Sequence, residues 1–191
     1  GTIKNRARVS FAWYYNDMLN DVYFSADRAY SSKNVPPGWP LPPSVLDGMA
    51  AAGSPLPSHY TYLNKGQVKY TGIEAGVDAI LVKGVVMFTN YSWQAEPNPD
   101  FPLSDVNQPP RNRFNAGVNF NVSRYLGDVS LSYQDRAYWK DVLAPLYVGW
   151  TEAFTTVNTS FGVRWMGGKL TTMVKVNNLF NVQMQQHVFG D

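Results

Sequence analysis

The chain has 191 residues, a formal net charge of +2, 16% charged residues and 15% aromatic ones. So small a net charge carries no basic footprint for a nucleic acid, and none is expected as a partner. There is no cysteine, which removes disulfides, thiolate metal sites and cysteine nucleophiles together.

The elements read best as strands. In a strand, successive side chains point to opposite faces, so strict apolar/polar alternation marks a half-buried sheet. The first predicted strand covers residues 5–24, with Val9, Phe11, Trp13 and Tyr15 on one side. Residues 31–58 follow, carrying seven of the 13 prolines; that density bars a central strand or a helix interior. The second strand is placed at 62–81, and Lys83-Gly84 turns tightly into a third at 85–95. A loop with Pro97, Pro99, Pro102, Pro109 and Pro110 leads to the fourth, 113–123. There Phe114, Ala116, Val118, Phe120 and Val122 oppose Asn115, Gly117, Asn119, Asn121 and Ser123. Tyr125-Leu126-Gly127-Asp128 is read as the turn into a fifth strand reaching about residue 138, with Val129, Leu131 and Tyr133 on its oily side. After a loop around Pro145 comes the sixth, 154–165, where Val157, Thr159, Phe161, Val163 and Trp165 alternate with polar neighbours. Met166-Gly167-Gly168-Lys169 turns into the seventh, 170–180.

The wet side decides the class. It is mostly Asn, Ser, Thr and Gly, whereas the oily side is bulky and aromatic. That contrast suits a wall with lipid on one side and a hydrated or plugged lumen on the other. No run approaches the roughly 18 apolar residues of a spanning helix. The fold expected is all-β: an antiparallel up-and-down meander of about seven long strands, part of a large transmembrane β-barrel. Connections alternate long and short, which puts every long loop at one end, the extracellular one in bacterial outer membranes. Tyr23, Tyr91 and Trp93 then fall toward the long-loop end, and Phe120, Tyr125 and Trp165 toward the short turns. Trp13, Tyr15 and Tyr133 lie nearer mid-strand. The competing architecture is a soluble carbohydrate-binding β-sandwich, in which the apolar face packs a core.

Four segments carry a resemblance. Asn64-Lys-Gly-Gln-Val-Lys-Tyr-Thr-Gly-Ile-Glu74, Asn90-Tyr-Ser-Trp93, Pro110-Arg-Asn-Arg-Phe-Asn115 and Val176-Asn-Asn-Leu-Phe-Asn181 resemble, in order, strand signatures of TonB-dependent outer-membrane receptors. The resemblance implies a 22-stranded, plugged barrel in the bacterial outer membrane. Such a barrel takes up a scarce nutrient, such as an iron chelate, cobalamin or oligosaccharide, using energy from the TonB complex. Residues 1–191 would be one partial barrel domain, with the plug, early strands and final strand absent. The TonB complex would be reached through that plug. The other expected partners are outer-membrane lipid, lipopolysaccharide and a small-molecule or oligosaccharide ligand.

No enzyme chemistry is indicated. The two histidines, His59 and His187, are isolated, and neither a nucleophile elbow nor a metal or cofactor motif is present. Glu74, Asp78, Arg164 and Lys175 have lumen parity. A cation facing lipid at mid-depth would cost about 2–4 kcal/mol. They either dock a plug or line a ligand path, or simply pair within the wall. Ligand contact is sought in the loops, where recognition rides on a rigid scaffold. Arg136, Tyr138, Trp139 and Asp141 stand at one strand top, Arg111 and Arg113 at another. The rings could stack and the arginines pair with carboxylates; interfacial anchoring and lipopolysaccharide contact are the other uses.

Overall fold

The computed structural model describes residues 2–3, 6–140, 147–185 and 187–188. Its strands are β1 (Thr2–Ile3), β2 (Ala7–Ala29), β3 (Pro57–Val82), β4 (Val85–Gln94), β5 (Asn98–Pro99), β6 (Asn112–Val122), β7 (Tyr125–Gln134), β8 (Ala137–Lys140), β9 (Val148–Thr151), β10 (Phe154–Trp165) and β11 (Leu170–Val176). One antiparallel sheet runs β1-β2-β3-β4-β6-β7-β10-β11, with β5 extending the ladder beside β3; β8 and β9 form a separate hairpin. The long connections, 30–56, 95–111 and 135–153, all leave from one end, and the short turns close the other.

Register makes each face continuous across seven strands. Trp13 opposes Ile73, Ile73 opposes Trp93, and Trp93 opposes Asn112. Met87, Val118, Val129, Thr159 and Val176 form another unbroken row. The rows between them carry the Asn, Ser and Gly residues. Among the described residues nothing packs on the apolar face: Phe11 is 70% exposed, Trp13 65% and Val174 64%. Among the described residues, the buried hydrophobics are Leu46, Val68, Val106 and Ala137, all at the long-loop end. A sandwich needs a second sheet over this face, and the only other sheet among the described residues is the small β8-β9 hairpin. Left in water, such side chains would each forgo about 1.5–3 kcal/mol of burial.

Glycines stitch the ladder. Gly72, Gly117, Gly127 and Gly162 each sit directly opposite a large residue: Tyr14, Phe88, Phe120 and Leu126. The partner's ring or chain lies over the bare backbone. A Cβ on Gly117 would stand 2.6 Å from Phe88 Cε1, and one on Gly127 2.8 Å from Phe120 Cζ. This is the arrangement by which an aromatic shields a strand glycine from solvent and pins register.

Polar groups end the apolar band at the long-loop end. Tyr91 Oη donates to Asn112 Oδ1 at 2.6 Å, Asn112 Nδ2 donates to Asp135 Oδ2 at 2.5 Å, and Tyr133 Oη donates to Asp135. Register sets Trp13 level with Trp93 and Tyr133 level with Tyr91. These rings therefore belong to the long-loop belt, not to mid-strand as their place along the sequence suggests. The reason is that β2 and β3 run far beyond the belt. Residues 18–29 and 57–68 form a hairpin above it, roughly 40 Å tall at about 3.3 Å per residue.

Several boundaries differ from those expected. Ser44–Ala51 is an α-helix (α1), fitted between Pro43 and Pro55, so the Pro-rich stretch is not wholly irregular. The second short turn is Ser123-Arg124, with Ser123 at φ 55°; Gly127 belongs to β7. β7 ends at Gln134, and Ala137–Lys140 leaves to pair with β9. β11 stops at Val176. Beyond it Asn178 takes φ 51° and closes a turn, its Nδ2 donating to Val182 O and its Oδ1 accepting from Val182 N. Tyr23 lies toward the long-loop end, as expected, but not on the apolar side. Register shifts between Met18 and Val22 invert the facing, so Tyr23 joins Asp21 and Tyr70 on the polar side and meets Phe101 edge-on at 6.1 Å.

Candidate functional site

The polar face holds five of the charged residues singled out in the sequence. Glu74 opposes Ala12 and Ser92, and Ser92 opposes Arg113. Asp78 opposes Arg8. Lys175 opposes Ser160, whose hydroxyl donates to Asp128. Arg164 Nη1 donates to Asn121 Oδ1 at 2.8 Å. A depression of about 390 Å³ includes Ser10, Glu74, Asn90, Ser92 and Arg113 in its lining. Arg113 thus belongs to the wall, in one row with Glu74, and is separated from Arg111.

A second cavity, about 350 Å³, opens at the long-loop end. Its lining includes Glu96, Gln108, Arg111, Asp135, Arg136, Trp150 and Glu152. Glu96, Arg111, Arg136 and Glu152 continue the polar parity of β4, β6, β7 and β10, so the cavity sits above the polar face. Arg111 is fixed by backbone, its carbonyl accepting from Gln94 N at 2.8 Å. The Arg136 guanidinium lies 4.5 Å over the Trp150 ring, which Tyr138 meets at 5.4 Å from the other strand of the β8-β9 hairpin. Burial pushes the Asp135 carboxyl up, but hydrogen bonds from Tyr133 and Asn112 and the nearby Arg111 charge outweigh it, and its pKa is lowered. Among the described residues neither Arg111 nor Arg136 forms an ion pair. A cation on an indole face, with a second cation lining the same cavity, can hold a flat, anionic group by charge-assisted hydrogen bonds and stacking.

The other candidates are spread out. Tyr138 Oη donates to Ser104 O at 3.3 Å, tying β8 to the preceding loop. Trp139 is half-buried on β8 and outside the cavity lining. Asp141 lies outside the described residues. Sequence reading singled out none of Glu96, Trp150 and Glu152. The four-residue run Val148–Thr151 was the one signal for Trp150 and Glu152, and it is shorter than a typical strand.

Asp105 knots the loops together. Its carboxylate accepts from Lys140 and pairs with Lys65 at 3.5 Å, joining three segments distant in sequence. Lys140 N also donates to Asn107 Oδ1 at 2.7 Å. Burial raises the Asp105 carboxyl, yet the Lys140 hydrogen bond and charge and Lys65 prevail, and its pKa is lowered. A depressed carboxyl stabilises above its unfolded value of 3.8, and the stabilisation is lost as pH falls through the folded value. Hydrogen exchange at residues 103–107 is therefore expected to accelerate on acidification below that range. Asp105→Asn should exchange fast at every pH; a wild-type profile flat through acid would contradict the knot.

Three comparisons bear on identity. The family model described as TonB dependent receptor-like, beta-barrel matches residues 3–179. No curated protein matches the chain. Among solved structures, a copper transporter, OprC, superposes with TM-score 0.62 at 11% identity, covering 96% of this chain and 24% of that one. The siderophore receptor PiuA from Acinetobacter baumannii gives 0.59 at 13%, covering 96% and 23%. The ferripyoverdine receptor of the Pseudomonas aeruginosa outer membrane, bound to ferripyoverdine, gives 0.59 at 15%, covering 94% and 22%. At these identities the likeness is one of fold, and the chain spans about a quarter of each relative's length.

Proposed function

The chain belongs to the TonB-dependent receptor β-barrel family, and we propose that it forms wall and loops of an outer-membrane receptor that takes up a small anionic chelate. Members of this family are transporters rather than enzymes. The observation that carries the ligand class is the Arg136 guanidinium stacked on the Trp150 ring, with Arg111 lining the same cavity of about 350 Å³. That space admits a small molecule and excludes a folded partner. On this reading Tyr138 supports Trp150 from behind. Glu74, Asp78, Arg164 and Lys175 meet a plug that occupies the lumen, and the TonB complex acts on that plug to supply energy. Lipid surrounds the apolar face. A copper transporter and a siderophore receptor among the structural relatives are consistent with a chelated metal.

Binding to the full receptor in detergent tests this. Ferric citrate serves as the anionic probe and a ferric hydroxamate as the neutral one, each read by quenching of tryptophan fluorescence. Ferric citrate is expected to quench, and Trp150→Phe to remove most of the signal. Arg111→Ala and Arg136→Ala should each weaken binding about tenfold or more, since a hydrogen bond to a charged group contributes about 1.5–3 kcal/mol. Binding of the hydroxamate alone, unmoved by either substitution, would overturn the anionic assignment.

A further inference from the structure

The tall hairpin has two unlike sides. One is covered: Tyr23 packs against Phe101, and Lys65 reaches Asp105. The other carries Val22 and a group of rings. Phe24 stacks on Tyr60 at 5.5 Å and 15°, and meets Tyr62 at 5.2 Å. Tyr62 is 72% exposed, Val22 58% and Phe24 43%, so nothing among the described residues covers them. The register shifts that send Tyr23 to the polar side send Val22, Phe24 and Tyr62 to the opposite one. They therefore continue the apolar face of the wall upward: on the same strand Phe11 lies below the belt, and Trp13 and Tyr15 lie at it. The polar belt of Asn112 and Asp135 separates the two levels, so the upper group stands above hydrocarbon, at the height of whatever covers the outer leaflet.

We infer that Phe24, Tyr60 and Tyr62 form a stacking surface for the core saccharides of lipopolysaccharide packed around the receptor. Continuity with the lipid-facing side selects this occupant. A surface that rises out of the bilayer along the outside of the wall meets the headgroups of neighbouring lipids before any soluble partner. The chemistry agrees, because sugar rings present C–H faces that stack on aromatic planes while their hydroxyls reach phenolic oxygens at the edge. Hydrocarbon chains would favour aliphatic side chains, and two of these three rings are phenols instead. The inference rests on the wall reading proposed above.

A photo-reactive benzoylphenylalanine in place of Tyr62 tests it, in the full receptor in outer membranes, with the same residue in place of Val118 and Tyr23 as references. In cells whose lipopolysaccharide bears a complete core, the position 62 probe is expected to form a lipopolysaccharide adduct. In cells whose lipopolysaccharide is truncated to lipid A and its innermost sugars, that adduct should vanish, while the Val118 probe labels lipid in both. The Tyr23 probe should label neither. For purified receptor, Phe24→Ser with Tyr62→Ser should weaken binding to core-bearing lipopolysaccharide micelles about tenfold and leave binding to lipid A micelles unchanged. A receptor–receptor adduct at 62, or no adduct while Val118 still labels lipid, overturns the inference and spares the wall. Failure of the Val118 probe to label lipid overturns both.

Discussion

Val118→Arg is expected to destabilise the assembled wall by about 2–4 kcal/mol, and Asn119→Arg by less than about 1 kcal/mol. The two positions are neighbours on β6 and differ only in the side they face. Val118 lies between Met87 and Val129, at the centre of the apolar face. A guanidinium there must shed its hydration or drag water into hydrocarbon. Asn119 lies between Val86 and Asp128, so an arginine would find water and a carboxylate. Urea unfolding of the full receptor in phospholipid vesicles, followed by the heat-sensitive gel mobility of folded barrels, reads both changes. Equal costs would mean that both sides meet water, and a larger cost at 119 would reverse the sidedness of the sheet. Either result removes the basis of the transport reading as well.

Gly127→Val is expected to be as damaging, at about 3 kcal/mol or more, for a different reason. The added Cβ would strike the Ser160 carbonyl oxygen and press on the Phe120 ring. Overpacking ordinarily costs about 1–3 kcal/mol because neighbours shift aside. Phe120 can turn away, but the Ser160 carbonyl belongs to the ladder with β10 and cannot move without opening it. Adding Phe120→Leu to Gly127→Val should therefore recover only a minor part of the loss in the same unfolding assay. Gly48→Ala is the control. It lies in α1 with nothing within 4 Å of an added Cβ, and it should be neutral or slightly stabilising. Full rescue by Phe120→Leu would show the ring, not the carbonyl, to be the obstacle.

Gly127 also shows where sequence reading fails. A glycine followed by Asp128 looks like a hairpin turn, and the turn was expected there. The real turn, Ser123-Arg124, has no glycine. What the sequence hides is that Phe120 needs a bare backbone opposite it, which is a property of two strands and not of one. The sixth strand, by contrast, was legible to the residue. Phe154–Trp165 alternates without interruption and ends at a Gly-Gly pair. The facing of Tyr23 could not be read because alternation is blind to a bulge, and paired register shifts swap the faces without leaving a gap in composition. The polar parity of Glu74, Asp78, Arg164 and Lys175 could be read because no shift intervenes between them and the centre of the sheet. The loop cavity could not. It is assembled from four segments between residues 96 and 153, and Trp150 joins Arg136 only because β8 and β9 pair across the intervening loop. Arginine and tryptophan were visible as ligand chemistry, but their partnership is tertiary.

The phenol of Tyr91 ends on an amide of the neighbouring strand, and that of Tyr133 on a carboxylate two residues along its own chain, instead of reaching freely for headgroups. Their height is consequently a property of the protein. In a thinner or thicker bilayer, rings held only by lipid could slide and let the strands retilt. Here the surrounding acyl chains must stretch or compress to meet a fixed edge, and that elastic cost, fractions of a kcal/mol per ångström of mismatch, would gather such walls into membrane patches of matching thickness.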